Sequence, residues 1–505
     1  MQVLHSLVVL VALLLGFMKS TNALPNPDFG VHANINPARP EVLAEASRLL
    51  TEFNAVSFSV TLNSGTPILA QMESAILSIA SKFRSSGVTL TQRLQTLATN
   101  NGPSISAVFN SVYEAIDALK DLTTNGLSAE MMSITEVVPS FVTQKFNEVF
   151  GDLRKALNQL TSKLQVLERD VTKARTAVGH GGHISDTIIR NNVPARVQSD
   201  VTRALIGLRL KIDSVKYMVR TTLLYLQDAD EFLVDVIEEV NGFGNALSVS
   251  LYQFVIGLSE MVQNAVGYAG SAFGCSLAEQ DVTLVQIMPA LSAISNYSTT
   301  LQQPLEDFLS HLEDESLSVR VNAFVGRFQN YTQNIVISTI AIDTFVRDVT
   351  CEIIRNMVLT LISFAPDNEY CFNRFAGYVY GLYELHYTSV SQCYDAELER
   401  LTTMTQFLRD AVDVFLYDVE DLGDNLSVCV NLSDGRNTCV EQYGMLYTSV
   451  LTVSTKMLND AERLFAEEFV ASYPRFGACV SSSQQMTLNA IAKIDRRLGS
   501  CHPLI

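Results

Sequence analysis

The side chains in this 505-residue chain that could do chemistry form a short set. His180-Gly181-Gly182-His183 offers two imidazoles to a metal, but a zinc site needs further ligands and none lies close by, so the run is expected to be a flexible connector. Asp418-Val419-Glu420-Asp421 and Glu313-Asp314-Glu315 supply oxygen donors for weak calcium binding without the spacing of an EF-hand; an acidic helix end and an acidic turn account for them. Tyr378, Tyr380, Tyr383 and Tyr387 recur at helical spacing, the pattern of a packed face with hydroxyls at its rim, with a ligand groove as the sharper alternative. No nucleophile elbow, phosphate-binding glycine loop or H-E-x-x-H pair occurs. The sequence therefore assigns no catalytic, cofactor-binding or metal-binding residue, and the expectation is a protein that is not an enzyme and uses no cofactor.

The cysteines are more orderly. Seven of the eight lie between Cys351 and Cys501, with Cys275 outside. Cys371 and Cys393 are 22 apart, as are Cys479 and Cys501; Cys393 lies 36 before Cys429, and Cys479 lies 40 after Cys439. Eight cysteines allow on the order of 100 pairings, so spacing alone proves none. Antiparallel geometry narrows the choice, because residues equidistant from a hairpin tip face each other. A tip at 431–437 pairs Cys429 with Cys439, Cys393 with Cys479 and Cys371 with Cys501. A second hairpin, with arms at 282–309 and 317–364 about the polar stretch 311–316, leaves Cys275 for Cys351, since both lie 38 residues from position 313. No C-x-x-C pair exists, so staples outweigh zinc or catalysis. Four glycosylation sequons begin at Asn296, Asn330, Asn425 and Asn431, and each should be exposed if it carries a glycan.

The elements that must hold these residues are helices. With 48% hydrophobic residues, the chain can bury a sizeable core, and long stretches of Leu, Val, Ala, Ser and Thr run without a breaker. A net charge of -18 argues against nucleic acid as a partner. Residues 1–23 have the apolar core and small-residue cleavage site of a secretory signal, although the n-region lacks Lys and Arg. No later stretch is apolar enough to span a membrane, so a secreted, extracellular, disulfide-bonded glycoprotein is expected.

Four regions follow the signal: helical 24–135, a heptad hairpin at 136–245, a helical region at 246–365 with its turn near 313, and a cysteine-rich helical module at 366–505. Helices are expected over 68–97 and 105–122. Phe146, Phe150, Leu153, Leu157, Leu160, Leu164, Leu167, Val171, Ala174 and Val178 follow the 4-3 spacing of a left-handed supercoil, ended by Gly179. A second seam runs from Val201 through Leu205, Leu208, Ile212, Val215, Val219, Thr222 and Leu226 to Val240, with a stop expected at Asn241-Gly242. The simplest closure is an intramolecular antiparallel hairpin; a homo-oligomer through the same seams is the alternative. From Asp152 to Arg220 there are 13 Lys and Arg against 6 Asp and Glu, while 223–447 is acidic. Gly257, Gly267 and Gly270 are expected to allow close helix approach.

The stretch 372–502 has cysteines around a Tyr-rich helix (Tyr378, Tyr380, Tyr383, Tyr387), a short Cys429-to-Cys439 loop and a final Cys479–Cys501 pair framing a helix. In these features it resembles the TsetseEP domain of secreted insect proteins. The resemblance implies a helical extracellular module without assigned activity, associated with midgut and immune response; the Glu-Pro tract of the founding member is absent. The expected fold is all-α: long antiparallel helical hairpins, the C-terminal one stapled by disulfides. The expected role is non-enzymatic recognition or assembly with an unknown extracellular protein or surface, the alternatives being a carrier of lipid or another apolar ligand and a structural coiled-coil oligomer.

Overall fold

A computed structural model describes residues 41–100, 104–138, 141–178, 185–313, 316–365 and 367–501. The expected signal, His180, His183, Gly179, Asp314 and Glu315 lie outside those residues. The described chain is all-α, without a strand. It forms α1 (Glu41–Asn54), α2 (Pro67–Thr99), α3 (Ile105–Asp121), α4 (Ser128–Val137), α5 (Phe141–Thr176), α6 (Asp186–Asn192), α7 (Ala195–Leu291), α8 (Gln302–Glu313), α9 (Ser316–Ile362), α10 (Asn368–Asn431) and α11 (Arg436–Cys501). It divides into two compact units: Met1–Val234 with Asn356–Arg374 and Leu498–Ile505, and Asp235–Arg355 with Phe375–Arg497.

In the first unit the 4-3 seams do what their spacing demands. From Phe146 to Ala174 on α5, and from Val201 to Ala229 on α7, the seam positions are buried. Lys163 reaches Asp200 at 3.4 Å and Lys211 reaches Asp152 at 3.3 Å, which fixes α5 and α7 as antiparallel partners within one chain. Phe53, Phe83 and Phe150 pack as tilted ring pairs at centroid distances of 5.4 and 6.2 Å, joining α1, α2 and α5. At Gly87 a Cβ would enter the Phe53 ring, so only glycine permits this seat. Asp230, 1% exposed, accepts the backbone N–H groups of Asn63 (2.6 Å) and Ser64 (2.9 Å). Burial by itself would raise its pKa, but hydrogen bonding from the Ser64 hydroxyl and from these backbone N–H groups outweighs it and holds the carboxyl below its ordinary value.

The expected stop at Asn241-Gly242 does not occur, and α7 continues for 97 residues in all. A glycine inside a helix costs only about 1 kcal/mol relative to alanine. Here the apolar period resumes beyond it, burying Leu247, Phe254 and Leu258, and packing overrides the local signal.

In the second unit α7, α8 with α9, α10 and α11 form a helical bundle. Tyr394 stacks on Phe476 at 5.1 Å and meets Phe254 at a tilt at 5.4 Å, and Phe254 meets Tyr331 at 6.5 Å. The hairpin at 431–437 is realised, with Gly435 at φ +80° supplying its left-handed residue. The hairpin about 313 is not. Ser295, Phe308 and Tyr331 meet Asn437, Tyr447 and Ser472 in turn along α11, so the chain keeps one direction from 295 to 331. Its reversal lies just after Leu291 instead. There the Asn296 carbonyl, at the start of the next helical turn, accepts the backbone N–H groups of Thr299 and Thr300 at 3.3 and 3.0 Å and their hydroxyls at 3.1 and 2.7 Å.

Candidate functional site

Three of the four expected disulfides are present, Cys371–Cys501, Cys393–Cys479 and Cys429–Cys439, with Cα separations of 6.0, 5.9 and 5.7 Å. The fourth is not formed: Cys275 and Cys351 are exposed free thiols. The shifted reversal explains this. Phe254 faces Tyr331 and Gly244 faces Asp343, so the same register sets Cys351 near position 235 of α7. Cys275 is roughly 40 residues further along that helix, or about 60 Å at 1.5 Å per residue.

Of the sequons, Asn330, Asn425 and Asn431 are exposed and Asn296 is half-buried. Asp418, Glu420 and Asp421 point outward from α10, and the described residues hold no group of three or more His, Cys, Asp or Glu that could ligate a metal. Among the glycines, Gly257 does permit a close approach, by Leu398, whereas Gly267 and Gly270 face open space.

Inside the second unit the polar side chains form two layers. Buried Glu397 accepts from Ser472 Oγ at 2.6 Å and pairs with Arg400 at 2.5 Å and Arg475 at 3.2 Å, and Tyr331 Oη closes on Ser472 Oγ at 2.7 Å. In the other layer Thr487 Oγ1 lies 3.2 Å from His386 Nδ1, Tyr383 Oη lies 2.7 Å from Thr350 Oγ1, and Tyr387 Oη donates to Asp343 at 2.5 Å. The tyrosine group thus divides: Tyr383 and Tyr387 are core, Tyr378 is exposed, and Tyr380 is half-buried.

Burial of His386 lowers its pKa from 6.5, an effect only partly offset by the Ile342 backbone and the Asp343 carboxylate. Besides Asp343 on α9, which pairs with Arg347, it faces Phe345 on α9, Thr487 and Ser483 on α11 and Tyr387 on its own helix, and among the described residues no cationic side chain pairs with the ring itself. The fold prefers the neutral ring, and the unfolded chain takes up the proton first. Stability of the second unit is therefore expected to fall as pH drops from 7 through 6.5 and to level off below the folded pKa. Thermal melts between pH 7.5 and 5 check this; an identical slope in a His386→Gln variant would exclude His386 as the cause.

Charge divides unevenly between the units. The first contains 22 acidic and 22 basic side chains. Its basic hairpin is answered from α1, where Glu45 meets Arg209 at 2.7 Å and Glu52 pairs with Lys216. The second contains 31 Asp and Glu against 13 Lys and Arg, the whole net charge of -18. On that unit a groove of about 590 Å³ is lined by Asp235, Glu238, Glu239, Gly242, Phe243, Ala246 and Tyr380. Tyr380 hydrogen-bonds to Asp235; burial first, then the charges of Asp235 and Glu239, push its hydroxyl up to about 12. Phe243 stacks on Tyr387 with centroids 6.2 Å apart and planes 9° apart. The α7 part of this groove was within reach of sequence reading, because Asp235, Glu238, Glu239 and Phe243 share one helix face. Tyr380 joins them only through the fold.

Fold and groove together define an all-α protein stapled by three disulfides, with one neutral and one strongly acidic unit. No protein-family model, curated protein or solved structure matches the chain. Among the described residues no helix is long and apolar enough to cross a membrane.

Proposed function

We propose that this chain is a secreted, non-enzymatic recognition protein whose second unit binds positively charged partners in an extracellular fluid. The observation that carries this reading is the confinement of the full -18 to that unit. Such an excess disfavours compactness by self-repulsion and is relieved when a cationic partner binds. Three disulfides and the resemblance of 372–502 to the TsetseEP domain support an extracellular setting; a gut or immune association rests on the resemblance alone. Carriage of an apolar ligand has less support, because Phe254, Tyr331, Tyr394 and Phe476 fill the interior ring against ring. Assembly through the heptad seams is likewise less favoured, since α5 and α7 bury those seams on each other.

The test uses the full, disulfide-intact chain against arrays of cationic, neutral and anionic peptides of equal length in about 0.15 M salt, where surface charge acts over only about 8 Å. Retention of a subset of the cationic peptides is expected. Indiscriminate retention of every cationic peptide, or retention of none, would overturn the reading.

A further inference from the structure

The acidic, aromatic-walled groove of the second unit has a composition that the fold itself does not explain. Asp235, Glu238 and Glu239 stand three and four residues apart, so their side chains crowd one face of α7. All three are exposed, and none is in an ion pair among the described residues. Like charges at this spacing destabilise a helix by a few tenths of a kcal/mol per pair. They sit on a unit whose net charge, these three included, is -18, so the surrounding field does not relieve that repulsion. The buried carboxylates Glu397, Glu45 and Asp230 do have cationic or hydrogen-bonding partners: Glu397 has Arg400 and Arg475, Glu45 has Arg48 and Arg209, and Asp230 has two backbone N–H groups. The groove carboxylates share only the Tyr380 hydroxyl at Asp235. Among the described residues the exposed Asp418, Glu420 and Asp421 of α10 have no ion pair either, and what sets the groove apart from that cluster is its enclosing aromatic walls.

The remaining walls suit the same ligand. Phe243 is held by its stack on Tyr387, and Tyr380 is half-buried with its hydroxyl tied to Asp235, so two ring positions are fixed before anything binds. Beside them Gly242 faces open space, with nothing within 4 Å of where a Cβ would stand. Ring faces attract cations, and carboxylates form charge-assisted hydrogen bonds to N–H donors. An anion would be repelled, and a neutral apolar group would strip water from three charges without repaying them. A volume of about 590 Å³ lies within the range of ligand sites and exceeds what a bare metal ion needs.

From this geometry, and resting on the recognition reading above, we infer that the groove binds an organic cation, a guanidinium or ammonium group, offered by a basic side chain of a partner polypeptide. The carboxylates of Asp235, Glu238 and Glu239 receive its N–H groups while Phe243 and Tyr380 flank its alkyl stem.

Calorimetric titration of the full, disulfide-intact protein with a tetra-arginine amide tests this, with agmatine as the free small cation and tetra-glutamate as the control. Three proteins are compared: the native chain, the groove variant Glu238→Gln/Glu239→Gln, and Asp418→Asn/Glu420→Gln, which removes the same charge from the outer face of α10. All these positions are exposed, so the variants are expected to keep the native circular dichroism. Tetra-arginine is expected to bind the native chain, to bind the groove variant at least tenfold more weakly, and to change less than twofold for the α10 variant. Tighter binding of tetra-arginine than of agmatine supports a polypeptide source; equal binding assigns the groove to a free small amine and overturns that source. Equal losses in the two variants would overturn the groove while leaving the acidic unit as a binding surface. Failure of every cation to bind would overturn both.

Discussion

Converting Cys393 and Cys479 together to serine is expected to cost the second unit about 4.5 kcal/mol, the chain-entropy value for a closed loop of this size. The bond joins residues 86 apart in sequence and pins the middle of α10 to α11. Its loss frees the unfolded chain while the native helices gain nothing; at Cys393, 1% exposed, the Ser389 carbonyl 3.3 Å from the sulfur is an acceptor for the new hydroxyl, so the lost bond itself sets the cost. The tip bond Cys429–Cys439 closes a separation of only 10, and the same relation gives about 2.7 kcal/mol for its removal. Denaturant unfolding of the two double variants under non-reducing conditions checks both values. A larger loss from the tip pair than from Cys393–Cys479 would contradict the ladder's energetic order.

The second large effect is expected at Glu397. Its side chain is 2% exposed, while those of Arg475 and Arg400 are 34% and 55% exposed. Glu397→Ala leaves the buried Ser472 hydroxyl without its acceptor and strands Arg475 beside an apolar interior, although Arg475 keeps Glu468 and its own access to water. Breaking a buried pair from one side costs about 3 to 5 kcal/mol, and the exposure of both arginines sets the expectation at the lower end, about 3 kcal/mol. Glu397→Gln retains an acceptor for Ser472 and should lose less. Equilibrium unfolding in urea resolves the two; a loss below about 1 kcal/mol for the alanine variant would mean that the layer does not hold the bundle.

The same residues show how far sequence reading reaches. The seams from Phe146 to Ala174 and from Val201 to Ala229 were legible because a 4-3 period has one geometric solution, a buried stripe on a long helix. The three bonded cysteine pairs were legible because they are measured from a single sharp tip whose Gly435 leaves little choice of register. Asn241-Gly242 misled for the opposite reason. A local preference of about 1 kcal/mol is small beside the burial of Leu247, Phe254 and Leu258, so the helix runs through it.

By itself, then, the sequence determined the helical class, the paired seams, the cysteine ladder and the sign of the charge, all of which are written in period, spacing and composition. Only the tertiary structure decided where the third arm turns, and hence that Cys275 and Cys351 stand apart as free thiols. It alone separated a neutral unit from an acidic one, because each unit gathers segments distant along the chain. It alone brought Tyr380 to the carboxylates of α7, since the register between two long helices is set by packing along their whole length and no short motif encodes it.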